Sequence, residues 1–179
     1  MGDSYLEYIV KKAPEAKTSI LKVLIIIATV VICYFGMIIA TSSQALAQFS
    51  SLFLLIVAGV IYGAYRLITS FNYEYEYIVT NGDLDVDKII ARRDRKRLLS
   101  VSTADVEIMA PYDDMYKHSY DNGTFAQTIN ATSSKYAKNL WFIVAETKKY
   151  GRVRLLWEPT EKMVENMRSY MPRKVMKQQ

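Results

Sequence analysis

Two stretches without a charged residue decide what this chain can become. Residues 23–40 contain no Asp, Glu, Lys, Arg or His, and neither do residues 41–65. The first apolar run extends from Ile20 to Ala40, with Lys22 near its start; the second extends from Phe49 to Ile68, with Arg66 near its end. About 20 residues rising 1.5 Å each reach roughly 30 Å, the hydrocarbon thickness of a bilayer. Lys22 and Arg66 sit where long side chains snorkel to headgroups. A buried helical hairpin of a soluble protein is the competing reading, but neither run keeps a polar face. A mean hydropathy of +0.02 hides this division, because the basic residues crowd from Arg66 onward. The lone cysteine, Cys33, lies in the first run and excludes a disulfide scaffold.

The residues between the runs, Thr41 to Gln48, are few, polar and uncharged. So short a loop makes two spanning helices antiparallel and puts both termini on one side. Lys11, Lys12, Lys17 and Lys22 precede the first run, and a basic tail follows the second. The positive-inside rule then assigns both termini to the cytoplasm. A signal peptide cleaved near Ala45-Leu46-Ala47 is the alternative, against a long, mixed-charge preceding segment. Gly36 with Ala40, and Gly59 with Gly63, have the small-x-x-x-small spacing that lets helix backbones approach. Their expected use is packing the two helices together, with homodimerisation as the alternative. No acid or histidine lies inside either span, which counts against a proton or ion pathway.

Residues 1–19 are expected to form an amino-terminal cytoplasmic segment. Ser4-x-x-Glu7 fits a capping box, and Leu6, Ile9 and Val10 share a helical face, so residues 4–12 read as a short amphipathic helix. Residues 20–71 form the transmembrane hairpin, and residues 72–179 a cytoplasmic β-rich domain. In that domain Tyr73, Tyr75, Tyr77 and Val79 alternate with Glu74, Glu76, Ile78 and Thr80. Asn81-Gly82 is a hairpin turn signal that pairs Val79 with Leu84 and Tyr77 with Val86. The opposite face then carries Glu74, Glu76, Asp85 and Asp87, and like charges facing across strands destabilise a sheet. Arg92, Arg93, Arg95, Lys96 and Arg97 follow. If the chain turns near Asp94, they return over the acidic face as an ion-pair layer. The sharper reading has them meet anionic headgroups or a partner, each basic residue near such a surface contributing about 1 kcal/mol.

Further strands are expected at Leu98–Ser102, Asp105–Ala110, Asn139–Thr147 and Arg152–Trp157, the last two joined by a hairpin turn at Lys148-Lys149-Tyr150-Gly151, with a long loop from Pro111 to Lys138 that has one or two short strands around Phe125–Ile129. Pro159-Thr160-Glu161 opens a helix bearing Met163, Val164, Met167 and Tyr170, Pro172 stops it, and a short basic tail ends the chain. The segment from Asn72 is expected to fold alone.

The strand Tyr73-Glu74-Tyr75-Glu76-Tyr77, the hairpin from Thr80 to Asp87, the Arg/Lys run, and Glu158-Pro159-Thr160-Glu161 before the last helix carry a resemblance. Together with the helix pair, this pattern resembles a family of uncharacterised two-pass membrane proteins of Gram-positive bacteria with a carboxy-terminal pleckstrin-homology-like domain. The resemblance implies an α+β fold: a transmembrane helical hairpin, then a small antiparallel β-barrel capped by a carboxy-terminal helix. It implies an interaction or assembly module and transfers no functional residue. The Asn-Gly-Asp turn lacks the basic residues that a phosphoinositide site of the eukaryotic type wants on its first hairpin.

Other chemistries lack their parts. His118 with Asp113 and Asp114 is too thin a ligand set for a metal. The Asp83, Asp85, Asp87 series has neither the glycine nor the distal glutamate of a calcium loop. There is no nucleophile–base pair, no phosphate-cradling glycine loop and no cofactor signature, so no enzyme is expected. A pI near 9.1 admits nucleic acid, but the basic segments carry their own acidic counterparts. The expected function is a non-enzymatic, membrane-anchored module that binds another protein or assembles with itself. An anionic-lipid sensor working through residues 92–97, or an accessory subunit of a transport or secretion complex, are the alternatives.

Overall fold

The computed structural model describes residues 4–42, 50–134 and 136–177. Most of the expected interhelical loop, from Ser43 onward, lies outside them. The chain divides into two compact units. One is the segment Pro14–Asn72; the other combines the chain up to Ala13 with the chain from Tyr73 onward.

The first unit is a pair of helices, α1 (Ala16–Thr41) and α2 (Ser50–Ser70). Both are long and apolar enough to cross a membrane, and none of the described residues in their apolar stretches is buried. Their few polar side chains are satisfied locally. Thr29 and Thr41 donate their hydroxyls to the carbonyls of Ile25 and Met37 one turn back, at 2.7 and 3.0 Å. Lys22 Nζ donates to Asn72 Oδ1 at 2.7 Å.

The second unit corrects the reading of the amino terminus. Residues 4–12 are not an amphipathic helix, and residues 1–19 are not a separate segment: Tyr5–Lys11 is a strand, β1. It pairs antiparallel with β2 (Tyr73–Thr80), Lys11 facing Glu74 and Tyr5 facing Thr80. Leu6, Ile9 and Val10 fit a helical stripe, but Leu6, Tyr8 and Val10 also alternate, and the aromatic and β-branched residues favour the strand. β3 (Asp83–Ile90) and β4 (Asp94–Val101) complete a sheet in the order β1-β2-β3-β4. The Asn81-Gly82 turn forms as expected, both residues having positive φ, with Val79 opposite Leu84 and Tyr77 opposite Val86. Gly82 is doubly required: besides its φ of 88°, a Cβ there would lie 2.7 Å from atoms of Thr103 and Tyr170.

A second sheet has the order β5-β7-β8-β6, from β5 (Val106–Pro111), β6 (Gln127–Asn130), β7 (Trp141–Thr147) and β8 (Gly151–Trp157). Its ladders are antiparallel except β6–β8, which is parallel. No ladder joins the two sheets among the described residues, so the expected closed barrel is an open pair of sheets. A short helix, α3 (Lys117–Asp121), interrupts the long loop.

The last helix, α4 (Glu161–Tyr170), presents Met163, Val164 and Met167 to the core and is capped by Thr160, whose hydroxyl accepts the Met163 N–H. In the core, Tyr77 is wholly buried, its ring edge-on to Trp157 at 5.3 Å and its hydroxyl bonded to the Ala131 carbonyl. Burial pushes that hydroxyl's pKa far up. The short basic tail takes part in the second sheet. Met109 N–H donates to Lys174 O and Met176 N–H to Met109 O, both at 2.8 Å, and Val175 is buried, so residues 174–176 cover the edge of β5.

Candidate functional site

The basic run lies at the end of the first sheet from which the chain leaves for, and returns from, the helix pair. The turn comes at residues 91–93, earlier than expected, and Asp94 already opens β4. Ala91 and Arg92 have φ of 52° and 55°, in the left-handed region that non-glycine residues rarely occupy. From this turn β4 runs back beside β3 with a register shift at Val86/Asp87, which sets Arg97 opposite Asp87 and Arg95 opposite Ile89.

Alternation then separates two populations of cations. On one face Arg92 meets Glu74 at 3.6 Å, Arg95 meets Glu76 at 2.9 Å and Asp87 at 4.0 Å, and Arg97 meets Asp85 at 2.8 Å and also clasps Asp87. This is the expected ion-pair layer, with one difference: Glu76 and Asp87, which face each other across the ladder, are buried rather than solvated. The cause is β1. With Ile9 opposite Glu76, the acidic residue lies on an interior strand and the arginine side chains close over it. Glu76 Oε2 is buried without a hydrogen-bond partner. Burial raises the Glu76 pKa above the ordinary carboxylate value, with Arg95 opposing the shift and Glu7 and Asp87 adding to it. On Arg97 the bond to Asp87 leads an upward shift.

The other population faces the opposite way. Lys88 and Lys96 are cross-strand neighbours, and neither has an ion pair among the described residues. Lys88 Nζ lies 3.7 Å from the centre of the Tyr73 ring. Burial, then Lys96 and Lys12, lower the Lys88 pKa. Lys12 Nζ donates to the Thr132 carbonyl at 3.4 Å. So Lys12, Lys88 and Lys96 repel one another where no acid balances Lys88 or Lys96. Of the five expected residues, then, Arg92, Arg95 and Arg97 pair within the sheet, Lys96 stands with this lysine group, and Arg93 is exposed at the turn. Lys88 carried no signal in the sequence, because its company depends on the register of β4.

The helix residues divide as well. A Cβ on Gly36 would lie 3.1 Å from the Phe53 ring, so Gly36 does mark the close approach of α1 and α2. Gly59 and Gly63 have nothing within 4 Å of such an atom among the described residues. Ala40 is partly buried. In the long loop, Asp113 Oδ1 accepts the N–H groups of Met115 and Tyr116 at 3.1 Å, and His118 Nδ1 lies 3.2 Å from Asn122 Nδ2.

A family described as "Bacterial PH-like domain (DUF6106)" matches residues 2–177, so the match takes in the helix pair and β1 as well as the sheets. No match is found among curated proteins and none among solved structures.

Proposed function

We propose, on the premise that the chain belongs to the bacterial PH-like domain family (DUF6106), that it is a membrane-anchored interaction module without catalytic activity. In this reading the helix pair spans the bilayer, both termini and the PH-like unit lie in the cytoplasm, and the unit binds another protein or a second copy of itself. One observation carries it: the helices interrupt the connection between two paired strands. Both linkers, residues 12–15 and 71–72, leave the same end of the β1–β2 ladder. Apolar stretches in which no described residue is buried support a lipid surround for the helices. Lysines before α1 and Arg66 late in α2, against an uncharged intervening loop, support the orientation.

Topology is tested with Cys33 replaced by Ser and single cysteines introduced as Ser43→Cys and Ser134→Cys. On intact cells an impermeant thiol reagent is expected to label the first and to reach the second only after lysis. The reverse pattern would overturn the orientation. Interaction is tested by affinity recovery from detergent-solubilised native membranes; a chain recovered alone and monomeric would refute that part.

A second reading has its own support. In it Lys88 and Lys96, which form no ion pair among the described residues, are, rather than the paired arginines, the cations that meet anionic headgroups. Lys88→Gln with Lys96→Gln is then expected to weaken binding to anionic vesicles in a salt-sensitive way, by about 1 kcal/mol per charge. Arg95→Gln with Arg97→Gln should leave that binding nearly unchanged.

A further inference from the structure

We infer that the outer edge of β4, with the slot beside it, docks an extended acidic segment of a partner protein by adding a strand to the sheet. This rests on reading the PH-like unit as an interaction module. β4 is the terminal strand of its sheet, and its one ladder is with β3. Its other edge therefore presents a row of N–H and C=O groups. The edge of β5 is covered by residues 174–176 of the same chain. No such cover reaches β4 among the described residues.

Alongside β4 lies a hollow of ≈ 610 Å³, with Arg97 and Ser100 on one bank and Lys148, Lys149 and Tyr150 of the β7–β8 turn on the other. Asp105 is the one carboxylate in its lining, and Ser102 Oγ already donates to it at 3.1 Å. Neither Lys148 nor Lys149 belongs to an ion pair among the described residues; Lys149 Nζ rests 4.8 Å from the Tyr150 ring centre.

The charge selects the occupant. Pairing two copies through this edge would bring Lys96 of both, which forms no ion pair among the described residues, into one short ladder, and edge lysines of this kind oppose self-association. A strand bearing carboxylates meets the opposite situation. Its backbone takes up the unpaired groups of β4, and its acids meet Lys148 and Lys149.

The test uses the full chain in a neutral detergent and an eight-residue peptide alternating Glu and Thr. Fluorescence anisotropy reads binding, and amide hydrogen exchange reads residues 94–101. The acidic peptide is expected to bind, to weaken with salt and to slow exchange across that segment. Lys148→Glu with Lys149→Glu is expected to weaken binding about tenfold, the equivalent of two exposed ion pairs. Both lysines lie in a turn, and an unchanged tryptophan-monitored melt would establish that the fold survives. The inference is overturned if exchange at 94–101 does not slow, or if the Gln–Thr peptide binds as well. It is equally overturned if methylating alternate peptide amides leaves binding intact, or if anionic vesicles or a second copy protect the same segment instead. A native partner whose recovery survives the double lysine substitution would sink this assignment while leaving the broader module reading in place.

Discussion

At the scale of single residues, Glu76 is the unusual group. It lies 1% exposed, faces Asp87 across the ladder, and leaves one carboxylate oxygen unpartnered. Its folded pKa is raised above the unfolded value, so the folded state binds the Glu76 proton more tightly. Glu76 therefore contributes most stability at low pH and loses it as pH rises through the folded pKa. Glu76→Gln, a neutral stand-in for the protonated acid, is expected to raise the melting temperature at pH 7. That gain should shrink toward pH 4, near the unfolded value. Both tryptophans, Trp141 and Trp157, lie in the unit that holds the two sheets, so their fluorescence follows its melt. A gain that grows on acidification would refute the assignment.

The arginines rank by what they cover. Arg97 spans Asp85 and the 2%-exposed Asp87, whereas Arg92 meets the more accessible Glu74. Arg97→Gln is expected to cost about 1 kcal/mol and Arg92→Gln a few tenths, measured by denaturant titration. Equal costs would mean that burial of the acid is irrelevant. The acidic–basic match was legible from alternation alone. The depth of Glu76 was not, because it depends on a neighbour on its far side that the residues around it do not announce.

At the scale of elements, that neighbour is β1. Seven residues fitted both a helical stripe and an alternating strand, and the pairing partner lies about 60 residues away in a chain whose local windows reach perhaps a dozen. The helix pair, the Asn81-Gly82 hairpin, the β7–β8 hairpin and the last helix were legible because each is fixed by a local pattern. The parallel β6–β8 ladder and the tail on β5 were not, because both are long-range pairings. One expectation about independence changes as a result. A fragment starting at Asn72 lacks β1, exposes the edge of β2, and loses the burial of Val10 and Leu6. Burying two such side chains contributes on the order of 3 kcal/mol. That fragment is expected to aggregate or melt broadly. Joining Lys12 to Tyr73 through Asn-Gly, in place of residues 13–72, closes β1 and β2 with a two-residue turn and should give a soluble β domain. Circular dichroism and a cooperative melt decide it; a well-folded Asn72 fragment would show that β1 is dispensable.

At the scale of the whole molecule, the chain divides into two compact units. In detergent, the tryptophan transition of the PH-like unit is expected to finish while most of the helical signal at 222 nm persists, because the helices satisfy their own backbone groups. A single coincident transition would contradict separate cooperativity. The order of the chain also has a consequence in time. β1 leaves the ribosome first, and at 5–20 residues per second its partner strand follows roughly 3–12 s later. Through that interval Tyr5–Lys11 has nothing to pair with. Closing a flexible loop of about 60 residues would oppose the pairing by roughly 3.6 kcal/mol. When α1 and α2 come together first, most of that loss is already met before β1 and β2 pair. Helix pairing thereby becomes the step that licenses the sheet: a chain whose helices fail to pair keeps an orphan strand and an open sheet edge.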